Sequence, residues 1–184
     1  MGDVFGRYIS GISGDYLFHS VPYYSMSEED LELEEFNKLG EQASQGCVRL
    51  AVSDAKWVYD NCPTGTNVSI YDDAENAGPL GKPDAIKITD FTNKWDPTDS
   101  NKKCPYAKAT PIISGANDYT IKSGGEFYAL AGVTAVDTCG NDITSNIEVF
   151  GNVVTTRKGK YKVTYSVTDV LKRTSSVTIT VTVA

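Results

Sequence analysis

Residues 43–50 read ASQGCVRL, with a cysteine set directly after a glycine and two positions before an arginine. Three readings of Cys47 compete: a buried small hydrophobe, half of a disulfide, or a nucleophile. Gly46 permits a tight or left-handed turn, which would present the Cys47 side chain at a strand-to-loop corner. Such a corner also leaves backbone N–H groups to face a developing oxyanion. Arg49 falls on the same side as Cys47 if this piece is extended, and offers a planar fork for a carboxylate or carbonyl. A thiol needs a base to become a thiolate near neutral pH. His19 is the one imidazole in the chain that could serve. It follows the apolar run Tyr16-Leu17-Phe18, and its plainer reading is a half-buried histidine finishing a strand. Ser20, through its backbone or its hydroxyl, is the nearest group able to orient that ring.

The 184 residues leave room for one medium domain or two small ones, and 40% hydrophobic content is enough for a packed core. A formal net charge of −7 argues against a nucleic-acid or anionic-membrane partner. No apolar run approaches the roughly eighteen residues of a membrane span, and the start MGDVFGRYISG lacks the pattern of a signal peptide. Four cysteines lie at 47, 62, 104 and 139 with no CxxC pair. With one histidine besides, neither a metal nor another cofactor is expected. Disulfides among Cys62, Cys104 and Cys139 stay open if the protein is exported.

Residues 1–73 mix strand and helix patterns. RYISGISGDYLFHSVPYY reads as two short strands punctuated by Gly11 and Gly14. The acidic stretch from Ser27 predicts a helix ended by Gly40, with Ser27 and Asp30 as a capping-box-like start. Lying between His19 and Cys47, it is either a lid over a pocket or a solvated insertion. SDAKWVYDN predicts a second helix capped by Ser53, and NVSIYD a strand. Residues 74–107, with four prolines and little periodicity, read as a linker or extended arm. From 108 to 184 the text is nearly pure β. Tyr161, Val163, Tyr165 and Val167 alternate on one face, and Val177, Ile179, Val181 and Val183 repeat the pattern. Such short strands predict an immunoglobulin-type β-sandwich.

FHSVPYY followed by ASQGCVRL resembles the signature of the YkuD-type L,D-transpeptidases: His-(Gly/Ser), a variable spacer, then Ser-His-Gly-Cys-(Ile/Val)-(Arg/Asn)-(Leu/Met). Gln45 stands where that motif has histidine. The resemblance implies a mainly β fold, in which residues 1–73 form part of a YkuD-like sheet with one or two helices. It implies Cys47 as nucleophile, His19 as general base and Ser20 as the orienting position. Gly46 with the Cys47 amide would form the oxyanion region, Arg49 would contact substrate, and Tyr23 would border the pocket. In that family the cysteine attacks a diamino-acid carbonyl in a peptidoglycan stem peptide, D-Ala leaves, and an amine of a neighbouring stem resolves the thioester into a 3–3 crosslink. The family's N-terminal strands have no counterpart ahead of Met1. This predicts a longer secreted protein, or a sheet whose open edges invite self-association. A vestigial transpeptidase region in a wall-binding or adhesive protein is the alternative.

The second half has its own resemblance. PII, AVDTCGNDIT and GKYKVTYSVTD are similar to elements of the Ig-like repeats of secreted Gram-positive cell-wall proteins. They imply an extracellular or wall-associated setting and a spacer or adhesive role.

Overall fold

A computed structural model describes residues 4–71, 73, 75, 78 and 81–184. The chain divides into two compact units, Met1–Lys108 and Ala109–Ala184.

In the first unit, β1 (Ser10–Ser13) and β2 (Tyr16–Ser20) form an antiparallel hairpin, turned at Gly14 with φ of 55°. A third strand, β3 (Val48–Leu50), pairs parallel to β2, giving the order β1-β2-β3. Beyond β2 the chain stays extended. Phe5 bridges Tyr23, and Tyr23 bridges Leu31. Val21, Tyr23, Leu31, Leu33, Phe36, Ala51 and Ile88 make the core.

Two helices accompany the sheet: α1 (Leu33–Phe36) and α2 (Val52–Asn61). The helix expected from Ser27 to Gly40 is therefore reduced to four residues. Its missing first half is claimed by extended pairing, because Leu31 donates its N–H to the Lys94 carbonyl (2.9 Å) while bridging Tyr23. Helix α2 forms as expected, but Ser53 does not cap it. The N-cap position is Ala51, and the first amides are met from far along the chain: Val52 N–H donates to Asp96 Oδ2 (2.8 Å) and Ser53 N–H to Thr98 Oγ1 (3.1 Å). The strand expected over NVSIYD is also corrected. Residues 67–71 carry no strand; Val68, Ile70 and Tyr71 stand exposed, and Asp72 lies outside the described residues.

The segment read as a linker or extended arm belongs, from residue 81 onward, to the first unit; residues 74, 76, 77, 79 and 80 lie outside the described ones. Its backbone is captured by side chains in place of a ladder. Asn37 donates from Nδ2 to the Ile88 carbonyl (2.8 Å) and accepts the Ile88 N–H at Oδ1 (2.7 Å), so one amide side chain does the work of a strand partner. Ile88, Trp95, Asp96 and Tyr106 are buried.

The second unit is the expected β-sandwich. Strands β4 (Ile112–Ser114) and β6 (Thr134–Val136) pair in one sheet. In the other, β5 (Tyr119–Ile121), β9 (Thr174–Val183), β8 (Gly159–Thr168) and β7 (Glu148–Phe150) lie in that order. Val163, Tyr165 and Val167 of β8 and Ile179 and Val181 of β9 face Val133, Ala135 and Ile147 across the core, as the period of two demands. A Cβ on Gly115, where φ is 79°, would lie 2.0 Å from the Gly132 carbonyl oxygen. Gly115→Ala should therefore destabilise this unit by about 2 kcal/mol. Calorimetry of the full chain checks this, and a change below about 0.5 kcal/mol would refute the strain argument.

No helix among the described residues is long and apolar enough to cross a membrane.

Candidate active site

The parallel pairing of β2 with β3 decides which side chains meet. Its register sets Phe18 beside Val48, His19 beside Arg49 and Ser20 beside Leu50. The ends of two sequence motifs far apart in the chain thus become adjacent rungs, and Cys47 stands immediately ahead of β3.

His19 is held at one nitrogen. Its Nδ1 lies 2.6 Å from the Ser20 carbonyl oxygen. A carbonyl can only accept, so Nδ1 carries the proton, and in the neutral ring Nε2 keeps its lone pair. The group of Ser20 that meets the ring is thus its backbone carbonyl. Its hydroxyl is engaged otherwise, donating to the Val21 carbonyl (2.8 Å). Gly6 lies against the ring; a Cβ there would come within 3.3 Å of Nδ1.

Cys47 is half-buried, and its thiol is directed at the Asp15 carbonyl oxygen, 3.9 Å away. Among the described residues no hydrogen bond joins it to His19. Gly46 is required at its corner on two counts. Its φ of 145° disfavours side chains, and a Cβ would fall 2.3 Å from the Tyr16 ring. Gly46→Ala should displace Tyr16 or the loop and lower the alkylation rate of Cys47 about tenfold. An unchanged rate, measured by iodoacetamide labelling with peptide mapping, would remove Gly46 from the site.

Ser44, which sequence reasoning passed over, ties the loop. Its hydroxyl donates to the Cys47 carbonyl (2.5 Å) and accepts the Gly46 N–H (3.2 Å). The sign of it lay in the opening octet, where a serine three residues ahead of the cysteine can close a turn through its side chain. Gln45 is exposed.

Cys47, Ser44 and Arg49 line a cavity of about 320 Å³ together with Glu35, Lys38 and Glu41. Arg49 donates from Nη1 to Glu35 Oε2 at 2.5 Å. Lys38 and Arg49 together hold the Glu35 carboxyl below its ordinary pKa. The acidic stretch thus contributes one carboxylate to the cavity through α1. Tyr23 is placed elsewhere: it is 1% exposed, packs in the core and is not among the residues lining this cavity. Cys62, like Cys47, is half-buried, and Cys104 and Cys139 are buried.

Comparison with known proteins follows these two units. Residues 4–70 match the family model described as "L,D-transpeptidase catalytic domain" (YkuD), and residues 111–183 match "Bacterial surface protein, Ig-like domain". The chain is similar to the Bacillus subtilis (strain 168) protein named "Putative L,D-transpeptidase YciB", 49% identical over 57 residues, which is 31% of this chain. The match spans only 28% of that relative's length. Among solved structures, CBM51-2 and INT domains of Clostridium perfringens ZmpB are 31% identical over 40% of this chain and 16% of theirs, with a TM-score of 0.37. The lipoprotein BT2262 of Bacteroides thetaiotaomicron is 25% identical over 40% of this chain and 37% of its own, with a TM-score of 0.35. The two matches thus place a region similar to the YkuD L,D-transpeptidase catalytic domain at residues 4–70 and a region similar to bacterial surface Ig-like domains at residues 111–183.

Proposed function

We propose that the first unit is a cysteine acyltransferase, an L,D-transpeptidase that forms 3–3 crosslinks between peptidoglycan stem peptides outside the cell. The observation that carries the reading is the His19 Nδ1 bond to the Ser20 carbonyl, on the rung shared with Arg49. It leaves Nε2 as the basic nitrogen of the chain's one imidazole.

In this reading Nε2 takes the Cys47 proton, and the thiolate attacks the diamino-acid carbonyl of a donor stem. The Cys47 N–H faces the oxyanion, because the Gly46 N–H is already held by Ser44. The tetrahedral intermediate collapses to a thioester, and D-Ala leaves as an amine with the proton returned by His19. An acceptor-stem amine then attacks the thioester, loses its proton to His19, and regenerates the thiol. Arg49 holds a substrate carboxylate or carbonyl with the part of its fork that Glu35 leaves over. The Ig-like unit serves as a spacer or adhesive module of a surface protein.

Incubation with tetrapeptide stems tests this, with mass spectrometry of the protein and the products. A thioester at Cys47, release of D-Ala and a crosslinked dimer are expected. One observation favours a second reading, a wall-binding protein with an inert thiol: Cys47 contacts Asp15 and not His19. Binding to wall material with no adduct at Cys47 would select it.

A further inference from the structure

We infer that Arg7, clamped by Asp99, is a positioning residue for His19, so that a turn outside the family-matched span helps to set the imidazole. This rests on the reading of His19 as the base. The chain of contacts begins at the Ser20 carbonyl that holds Nδ1. Ser20 is fully buried and pinned by one residue from both sides: its N–H donates to the Arg7 carbonyl (3.0 Å), and its hydroxyl accepts the Arg7 N–H (2.9 Å). Gly6, the neighbour of Arg7, is the residue lying against the ring. The Gly6-Arg7 backbone therefore fixes both the carbonyl that orients the imidazole and one wall of its slot.

Arg7 is in turn fixed through its side chain. Its guanidinium donates from Nη1 to Asp99 Oδ2 (2.6 Å) and from Nη2 to Glu28 Oε1 (2.9 Å). It also lies 5.3 Å from the Tyr8 ring centre and 5.7 Å from that of Tyr23. Asp99 belongs to a tight turn of its own. It donates its N–H to the Asp96 carbonyl (3.0 Å) and accepts the Asn101 N–H (2.9 Å), while Asn101 reaches across to Glu28. A planar fork gripped at two nitrogens by buried or half-buried carboxylates has little freedom. The turn from Asp96 to Asn101 lies beyond the residues 4–70 that match the family model. Arg7 touches neither the thiol nor the cavity, so its effect on chemistry passes through Ser20.

His19 is the chain's one histidine, so its two ring nitrogens give unambiguous 15N signals. With the ring neutral they should report a proton on Nδ1. Asp99→Asn, which keeps the shape and removes the charge, should shift them toward a mixture of tautomers. The Cys47 alkylation rate per folded molecule should fall about tenfold with it. Arg7→Lys, which keeps the charge and removes the fork, should do the same. Folded fractions from tryptophan fluorescence separate this from simple unfolding. Wild-type 15N shifts and wild-type alkylation per folded molecule in both variants would overturn the inference. His19→Ala tests the underlying reading separately. If it leaves alkylation unchanged, the base assignment fails, while the tautomer signals still decide whether Arg7 positions the ring.

Discussion

Cys47→Ser should abolish thioester formation with a tetrapeptide stem, and His19→Ala should lower alkylation of Cys47 at neutral pH by about 100-fold. Serine keeps the shape of the site, but its hydroxyl is a far weaker nucleophile unless a base is already in contact, and among the described residues no base is hydrogen-bonded to Cys47. The histidine effect follows from the locked ring: with Nδ1–H committed to the Ser20 carbonyl, removing the imidazole removes the basic Nε2. The other thiols supply an internal control. Burial, with Asp137 nearby, pushes the Cys139 thiol up to about 11, and burial raises that of Cys104 as well. Both should stay unlabelled in the folded protein. Among the described residues no hydrogen bond joins half-buried Cys62 to His19, so it should react at a rate that His19→Ala leaves alone. Peptide-mapped labelling separates the sites. If Cys47 and Cys62 react equally fast, and both ignore His19, the thiol is not activated.

What could be read from the sequence was local or already paired by motif. Strict alternation in β8 and β9 gave their buried faces, because a period of two survives any partner. His19 and Cys47 were singled out by two short motifs, and the β2–β3 register sets His19 beside Arg49. The failures share a cause. The Ser27–Gly40 segment has helical composition, yet Leu31 is drawn into extended pairing by Lys94, far along the chain. Ser53 looked like a cap because propensity sees only neighbours, whereas the acceptor for α2 comes from Asp96. NVSIYD alternates like a strand, but residues 67–71 pair with no strand among the described residues, and alternation without a ladder makes no strand. Tyr23 was assigned to the pocket by resemblance alone, and its place in the core rests on the bridges to Phe5 and Leu31.

Asp96→Ala should cost the first unit about 3 kcal/mol at pH 5, the larger of the two stability effects predicted. The Asp96 carboxyl is fully buried and accepts three hydrogen bonds: from Val52 N–H, Thr98 N–H (2.8 Å) and Thr98 Oγ1 (2.6 Å). Alanine would orphan the Val52 N–H at the start of α2, which directly follows β3 and the Cys47 loop, and both Thr98 donors in the turn that meets it. The cost should depend on pH, and its sign can be worked out. Burial raises the Asp96 pKa to about 6 against the opposing pull of its hydrogen bonds. In the unfolded chain an aspartate titrates near 3.9, roughly. Between those values the folded state binds the extra proton, so stability falls as pH rises through the window and levels off above the folded pKa. Asp96→Asn retains an acceptor and cannot ionise, so it should lose that slope, and its deficit against the wild type should narrow from pH 4.5 to pH 7. Both tryptophans, Trp57 and Trp95, lie in the first unit, so urea titrations followed by tryptophan fluorescence report on it selectively. Parallel wild-type and Asp96→Asn curves across pH 4 to 7 would show that folding leaves the Asp96 pKa unshifted, its three hydrogen bonds balancing its burial.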